Sequence, residues 1–226
     1  AFDKVFRHPL DKNHRFPMEK YDLIPLLLIN EKVCNQNNFF VPKNLNDQDV
    51  LTTHQKEYYE RLSSLTLSEK EIRPIGFPMS RELIIREKKI AQGTIECSNF
   101  SINNGISMNI AGGTHHAFYD KGEGFCMLND QAIAANYLLN NSFVKKILII
   151  DLDVHQGNGT ASIFKNNPNV FTLSFHGQKN YPFRKENSDL DFGFDDFTND
   201  EFYLKKLKEI IPRTIDNFQP DFIFYL

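Results

Sequence analysis

Short apolar runs alternate along this chain with stretches of helical periodicity. Runs of strand character occupy residues 146–153, 170–175 and 221–226, and residues 107–110 form a weaker candidate. Apolar positions recur at helical spacing over residues 18–28, 47–62, 80–99, 128–139, 158–165 and 200–218. Strands that alternate with helices predict an α/β fold with a mostly parallel central sheet. Ligand sites of such sheets lie beyond the carboxyl ends of the strands.

The remaining segments read as loops or as solvated surface. Residues 1–46 carry four prolines and predict irregular structure around the first helix, and residues 178–197 predict a long, acidic loop. The helix over 80–99 contains many charged positions, among them Arg86 and Glu87. We expect these charges to form its solvated face.

The most informative segment is the end of the strand over 146–153. It runs Ile-Ile-Asp-Leu-Asp-Val-His-Gln-Gly from position 149, and places Asp151, Asp153 and His155 two residues apart. In a strand, such spacing puts the three side chains on one face. Two carboxylates and an imidazole at a strand end are typical of a hydrolytic metal site of borderline hardness.

Size, charge and cysteine content limit the classes of function. The 226 residues are 41% hydrophobic, which suits a single catalytic domain over 1–226. A net charge of −3 gives no footprint for nucleic acid, and no apolar run is long enough for a membrane span. Three widely spaced cysteines favour a cytoplasmic protein. Because the sequence stops within an apolar strand, we expect a domain truncated at its C-terminal end.

A second pattern is the segment Gly-Gly-Thr-His-His at 112–116. A water activated by a metal needs a neighbouring base for its proton and an acid for the leaving group. Imidazoles serve in both roles near neutral pH. Adjacent histidines on a glycine loop, in a chain that also has Asp-x-Asp-x-His, therefore predict a hydrolytic centre.

Two further motifs complete a family resemblance. They are Gly-Phe-Cys-Met-Leu-Asn-Asp at 124–130 and Ser-Phe-His at 174–176, which is followed by Tyr-Pro-Phe at 181–183. Taken in order with the other two, they make the chain resemble the histone deacetylase superfamily, on its class IV and bacterial side. The resemblance runs from about His8 to the end, and implies the three-layer arginase/deacetylase α/β fold.

The resemblance also implies roles for individual residues. Asp153 and His155 match two of three protein ligands of a catalytic metal. His116 matches the general base and acid, and His115 its partner, which hydrogen-bonds a buried carboxylate, here Asp151. The remaining matches are channel walls for an acyl-lysine side chain (Gly124, Phe125 and Phe183) and a structural K⁺ or Na⁺ site (Asp151, Asp153, Ser174 and the backbone of His155 and of Phe175).

Metal chemistry supports this interpretation independently. Two carboxylates and a histidine with open positions suit catalytic Zn²⁺, and oxygen-rich ligation also accommodates Fe²⁺. The metal would activate water for attack on the amide, so the expected reaction is removal of acetyl or other acyl groups from lysine side chains. An imidazole keeps its tautomer only when its second nitrogen has a partner. Asp151 is the candidate partner for His115, and Asn158 for His116.

Three departures from the family pattern refine the prediction. Asn158 stands where class I members have Asp, so His116 is held by a neutral amide and is less basic. Lys56 stands about where class I enzymes have an Asp that grips the substrate backbone. The third metal ligand and the carbonyl-polarising Tyr are expected beyond Leu226.

Two alternative functions are disfavoured at single positions, and two others remain open. An arginase-like dimetal site needs a carboxylate two residues after His155, where this chain has Gly157. A dinucleotide fold would need a third glycine, where Ser162 stands. If the chain is an enzyme, small acylated amines such as acetylpolyamines are competing substrates. An acidic channel mouth would favour them, but the acidic stretch over 189–201 fits a solvated surface loop better. A catalytically dead module that binds acyl-lysine or a protein partner is the non-enzymatic alternative.

Overall fold

The protein was analysed as a computed structural model that describes residues 1–226. The chain forms two compact units, residues 1–137 and residues 138–226, with the boundary inside one helix. Each unit is described by itself. No helix combines the length and the apolar character needed to cross a bilayer.

The first unit is helical. Its helices are α1 (Lys20–Asn30), α2 (Asp47–Leu51), α3 (Lys56–Ser63), α4 (Glu69–Ile75), α5 (Arg81–Asn104) and most of α6 (Asp130–Asn140). The longest, α5, begins where Ser80 Oγ accepts a hydrogen bond from Leu83 N at 3.1 Å, and ends at Gly105 with φ of 89°. The cap satisfies one orphan N–H of the first turn, and the glycine supplies the left-handed conformation that stops the helix.

Helix α5 buries two charges that we expected to be solvated. The side chains of Arg86 and Glu87 are 2% and 1% exposed and form an ion pair. Arg86 Nε also donates to the carbonyl oxygen of Phe6 at 2.7 Å, and its guanidinium lies 5.0 Å from the ring centroid of Tyr21. The N-terminal segment of the chain thus covers this helix face, which local periodicity cannot reveal, and burial raises the pKa of Glu87 to about 6.

The second unit contains a four-stranded sheet in which every neighbouring pair is parallel, with the order β3-β2-β1-β4. The strands are β1 (Ile147–Asp151), β2 (Val170–Gly177), β3 (Leu190–Phe194) and β4 (Phe222–Tyr225). Helices α7 (Asn158–Phe164) and α8 (Asp200–Phe218) complete the unit. The predicted α/β class and parallel sheet are therefore confirmed.

Alternate residues of three strands build the core on one face of this sheet. Leu148, Ile150, Leu173, Phe175 and Phe194 are buried there against one side of α8. The α8 side chains that pack on them recur at helical spacing (Tyr203, Leu207, Ile210, Ile211, Ile215 and Phe218). Because strand side chains alternate, the polar Asp151, Ser174 and His176 point to the opposite face.

Several predicted boundaries were wrong for identifiable reasons. Residues 107–110 form no strand, and the helix expected over 47–62 is split into α2 and α3. Strand β1 ends at Asp151 rather than at residue 153. Strand β3 lies inside the expected loop over 178–197, because its glycine- and aspartate-containing sequence hides an edge strand that only pairing with β2 reveals. Helix α8 has the predicted bounds.

A buried histidine joins two loops of the first unit. The carbonyl oxygen of Phe118 lies 2.8 Å from His54 Nδ1, and Asn129 N donates to His54 Nε2 at 2.9 Å, so the ring is neutral with its proton on Nδ1. The imidazole is 1% exposed, and burial lowers the pKa of His54 to about 4 from its ordinary 6.5.

We predict that His54 makes the protein less stable in mild acid. Between the two pKa values the unfolded chain binds a proton that the folded one excludes, so stability that is complete above pH 6.5 is lost as pH falls toward 4. The free energy of unfolding, measured by chemical denaturation, should fall between pH 7 and pH 5 by about 2 kcal/mol more in the wild type than in His54→Asn. The asparagine amide of this variant keeps a donor to the Phe118 carbonyl. Equal losses in the two proteins would contradict this assignment.

Candidate active site

In the first unit, the loop over 112–116 is held by one buried carboxylate. Asp130, the first residue of α6, accepts hydrogen bonds from Thr114 N at 2.8 Å, Thr114 Oγ1 at 2.7 Å and Thr94 Oγ1 at 2.6 Å. A Cβ added to Gly112 would lie 2.8 Å from Asp130 Oδ2, so the loop approaches this carboxylate as only glycine allows. The Gly-Gly-Thr part of the motif thus fixes the backbone that leads into His115 and His116.

The two histidines form a buried pair of imidazoles. His115 and His116 are 4% and 5% exposed, and their ring centroids are 4.1 Å apart with the planes tilted by 44°. Gly124 packs directly on the second ring: a Cβ added there would lie 2.6 Å from His116 Cδ2. The structure therefore brings together three of the predicted site residues of this unit.

Phe125 continues this surface in an aromatic cluster. It is half-buried, and its ring centroid lies within 5.7 Å of those of His14, Phe16 and Phe77. The residue has φ of 66°, which is uncommon for a bulky side chain. Hydrogen bonds from Gly124 N to Pro74 O at 3.0 Å and from Phe125 N to Ile75 O at 2.8 Å hold the backbone there. Such over-determined backbone strain is typical of ligand clamps.

In the second unit, the strand-end motif is organised by turns rather than by strand alternation. Asp153 N donates to Asp151 Oδ1 at 3.0 Å, and His155 N donates to Asp153 Oδ1 at 2.7 Å. Because β1 ends at Asp151, the expectation that all three side chains share a strand face was wrong. Each aspartate instead satisfies the backbone N–H two residues later, which is the usual way in which Asp shapes a turn.

The Asp153 and His155 side chains are suited to hold a divalent ion. Each is 40% exposed, and Asp153 Oδ1 lies 2.8 Å from His155 Nδ1. A carboxylate oxygen and an imidazole nitrogen are zinc ligands with bonds of about 2.0–2.2 Å, and the two atoms are close enough for one ion to reach both after a small separation. No group of three potential ligand side chains is found, and three is the usual number for catalytic zinc.

Three of the residues predicted for the monovalent cation, Asp151, Ser174 and Phe175, lie in the neighbouring strands β1 and β2. Ser174 is in register with Asp151 across β1 and β2, and the two are 2% and 4% exposed. The Phe175 side chain points into the core on the other face, which leaves only its backbone for a cation, as the prediction requires. Ser174 Oγ also lies 3.0 Å from Nδ1 of His176, a buried histidine whose pKa is lowered by its burial.

Asn158 and Phe183 occupy contrasting environments. Asn158 begins α7 and is 2% exposed, and its Oδ1 accepts a hydrogen bond from Gly159 N at 3.0 Å. Phe183, predicted as a channel wall, is 91% exposed. The pairing of His115 with Asp151, and of His116 with Asn158, stays a prediction.

Sequence reasoning missed Tyr181. Its ring packs edge-on against the imidazole of His155, with centroids 6.0 Å apart and planes at 74°. The available signal was its place in the Tyr-Pro-Phe segment, two residues before the predicted channel residue Phe183. This aromatic residue, two positions before Phe183, is the one that contacts a predicted metal ligand.

The family of the chain follows from comparison with known proteins. The model of the histone deacetylase domain matches residues 14–226. The chain belongs to the histone deacetylase family. Membership supports a deacetylase-type hydrolase, and the predicted class IV assignment stays a prediction.

Individual relatives align with nearly all of this chain. The chain is 38% identical over 217 residues to an uncharacterized protein of Picosynechococcus sp. The alignment covers 96% of this chain and 72% of that protein. Identity to Histone deacetylase 2 of Arabidopsis thaliana is 27% over 225 residues, or 96% of this chain and 58% of that protein. The chain thus spans between about three fifths and three quarters of these relatives.

Solved structures support the deacetylase fold. The crystal structure of an HDAC homologue from Aquifex aeolicus superimposes with a TM-score of 0.81, over 97% of this chain and 64% of that one. Sequence identity is 21%, so this likeness shows the fold alone. It is consistent with the arginase/deacetylase fold implied by the motifs.

We predict that Gly124 is irreplaceable because it packs on His116. Gly124→Ala should cost roughly 1–2 kcal/mol of folding stability for the left-handed backbone and about as much again for the collision with the ring. Gly105→Ala is the matched control, because Gly105 also has positive φ but a Cβ there meets nothing within 4 Å. Chemical denaturation measures both. A displaced His116 imidazole resonance in Gly124→Ala alone is expected by NMR, and equal behaviour of the two variants would refute the contact.

Proposed function

We propose that the full-length protein is a metal-dependent deacetylase that removes acyl groups from lysine side chains. The observation that carries the proposal is the Asp153–His155 pair, with a carboxylate oxygen and a ring nitrogen 2.8 Å apart directly after the central strand of a deacetylase fold. The buried imidazole pair of His115 and His116 supplies the acid–base groups that such a reaction needs.

Asp153 and His155 are the residues of this chain that would hold the ion. Their donor atoms suit Zn²⁺ and also Fe²⁺. A bound ion would supply Lewis acidity toward water and toward the amide carbonyl. Asp151 and Ser174 are among the residues that would hold a structural K⁺ or Na⁺, whose charge would offset that of the buried carboxylate.

The histidine pair divides the proton transfers in this proposal. A ring nitrogen of His116, Nε2 or Nδ1, takes the proton from the attacking water. The same ring then gives a proton to the lysine nitrogen as the bond between this nitrogen and the acyl carbon breaks. His115 tunes this ring through its contact and through the proposed partner Asp151. Asn158 would hold the tautomer of His116 without adding a negative charge.

The substrate side of the proposal rests on the aromatic residues. Phe125 lies beside Gly124, which touches His116, and Tyr181 lies beside His155. Flat rings at these places suit the methylene chain of an acyl-lysine, with Phe183 at the exposed outer end. A second candidate, an acetylpolyamine or another small cationic amide, is favoured by the exposed Asp195, Asp196 and Asp200.

We also propose a cytoplasmic location for the protein.

The decisive experiment is turnover by the full-length protein. Wild type, loaded with Zn²⁺ or Fe²⁺, should release acetate from an acetyl-lysine peptide or, under the second candidate, from an acetylpolyamine, and the ratio of kcat/KM values decides between them. Binding of both substrates without turnover of either would instead identify a catalytically dead module.

We predict that His116→Ala abolishes most turnover and leaves the metal bound. Loss of a general base costs about 10²–10⁴-fold in rate, while the ligand atoms of Asp153 and His155 are untouched. Metal content measured on the assayed sample is the internal control. Turnover within a few-fold of wild type would refute the assignment of His116 as base.

We predict that Asp153→Asn loses metal and activity together. The substitution removes the negative charge of the proposed ligand, while the Asn Oδ1 can still accept from His155 N and so preserve the turn that presents His155. Asp216→Asn on the exposed side of α8 is the matched control and should keep both properties. A fully metallated Asp153→Asn protein would contradict ligation by this residue.

A further inference from the structure

Gln156, the residue after His155, is buried in a fully hydrogen-bonded position. It is 1% exposed. Its Nε2 donates to the carbonyl oxygen of Glu186 at 2.7 Å and to Asp191 Oδ1 at 2.8 Å, and its Oε1 accepts from Glu186 N at 2.9 Å. The side chain therefore pairs with both backbone groups of one residue, as a strand would.

Only an amide of this length satisfies that arrangement. The primary amide donates to a carbonyl and accepts from an N–H at the same time, whereas a carboxylate at the same place would face the Glu186 carbonyl and the Asp191 carboxylate. Asparagine is one methylene shorter. The donor and acceptor of the Gln156 side chain thus complement those of one defined segment, so the residue does more than fill space in the core.

The partner segment is the loop over 178–186, here called the aromatic loop, which carries Tyr181 and Phe183. Its first end is fixed where Gly177 N donates to Val154 O at 2.8 Å. Its second end is fixed by Gln156 at Glu186. The two anchoring residues, Val154 and Gln156, flank His155, so both ends of the loop are tied to the segment that presents this predicted ligand.

The interior of the aromatic loop is also braced. Lys185 Nζ donates to the carbonyl oxygens of Asn180 and Pro182, each at 2.6 Å. Lys185 adjoins the residue that Gln156 holds, and Tyr181 lies between the two carbonyls that it binds. These contacts connect the segment around His155, through Gln156 and Lys185, to the backbone on both sides of Tyr181. The Tyr181 ring in turn contacts the imidazole of His155.

We propose that Gln156 is a positioning residue that sets the distance between the Tyr181 ring and His155, and thereby the width of the acyl-lysine channel beside the metal ligand. This inference rests on the proposed deacetylase function. It predicts that loosening Gln156 weakens substrate binding and leaves the chemical step and the metal intact. A residue needed only for folding would instead affect all three.

Gln156→Met tests the proposal, because methionine keeps the length of the side chain and removes its three hydrogen bonds. In the full-length, metal-loaded protein, KM for an acetyl-lysine peptide should rise about tenfold, while kcat changes by less than about threefold and metal content stays constant. Gln36→Met, at an exposed glutamine, is the matched control. Lys185→Met loosens the same loop from its other side and should reproduce the effect if Gln156→Met does not fold.

Hydrogen exchange gives a readout that is independent of activity. In both loop variants, amide exchange should accelerate in residues 180–187 and stay unchanged in β1, residues 147–151. Unchanged KM and exchange would overturn the proposal, as would faster exchange in β1 with loss of metal, which indicates a general folding role. Faster loop exchange in a protein that turns over no acylated amine would leave the anchoring by Gln156 standing while the proposed function fails.

Discussion

The end of strand β1 is the constraint on which the rest of the candidate site depends. Parallel pairing stops just after Asp151: Leu152 N still donates to Leu226 O at 2.8 Å, but the N–H groups of Asp153 and His155 lie beyond the strand ladder. Two aspartate side chains take over: Asp151 accepts from Asp153 N, and Asp153 accepts from His155 N. The same bonds that satisfy the backbone orient Asp153 and His155. Ligand geometry is therefore a consequence of how the strand ends.

The histidine loop of the first unit uses the same physical device. Buried Asp130 takes three donors from Thr94 and Thr114, so its charge is dispersed over hydrogen bonds rather than left unpaired. Removal of this carboxylate from water is costly, and the cost is offset only while every donor stays in place. Such a network tolerates one backbone path, which is why Gly112 stands where the loop approaches Asp130. Gly124 plays the corresponding part where its own segment packs on the His116 ring.

The aromatic loop shows how a long connection can be rigid without regular structure. Residues 178–186 contain no helix or strand, yet both ends bind the segment around His155 and Lys185 binds two carbonyls in the interior. A loop that is organised in this way can present an exposed aromatic residue such as Phe183 at a low entropic cost on binding. The sequence predicted a loop here because it shows no periodic pattern, but a lack of periodicity does not mean a lack of contacts.

The sequence by itself determined the family, the α/β class and the parallel sheet, because these depend on local patterns: apolar runs, helical spacing and four short motifs in order. Helix α8 was predicted to the residue, since its amphipathic face and its Asn199 cap are local signals. Tertiary structure alone decided what non-local partners control. Pairing with β2 created β3, the N-terminal segment buried Arg86 and Glu87, and contact with His155 distinguished Tyr181 from Phe183. Each of these outcomes depends on groups far apart in the chain, and no local pattern encodes which distant group will arrive.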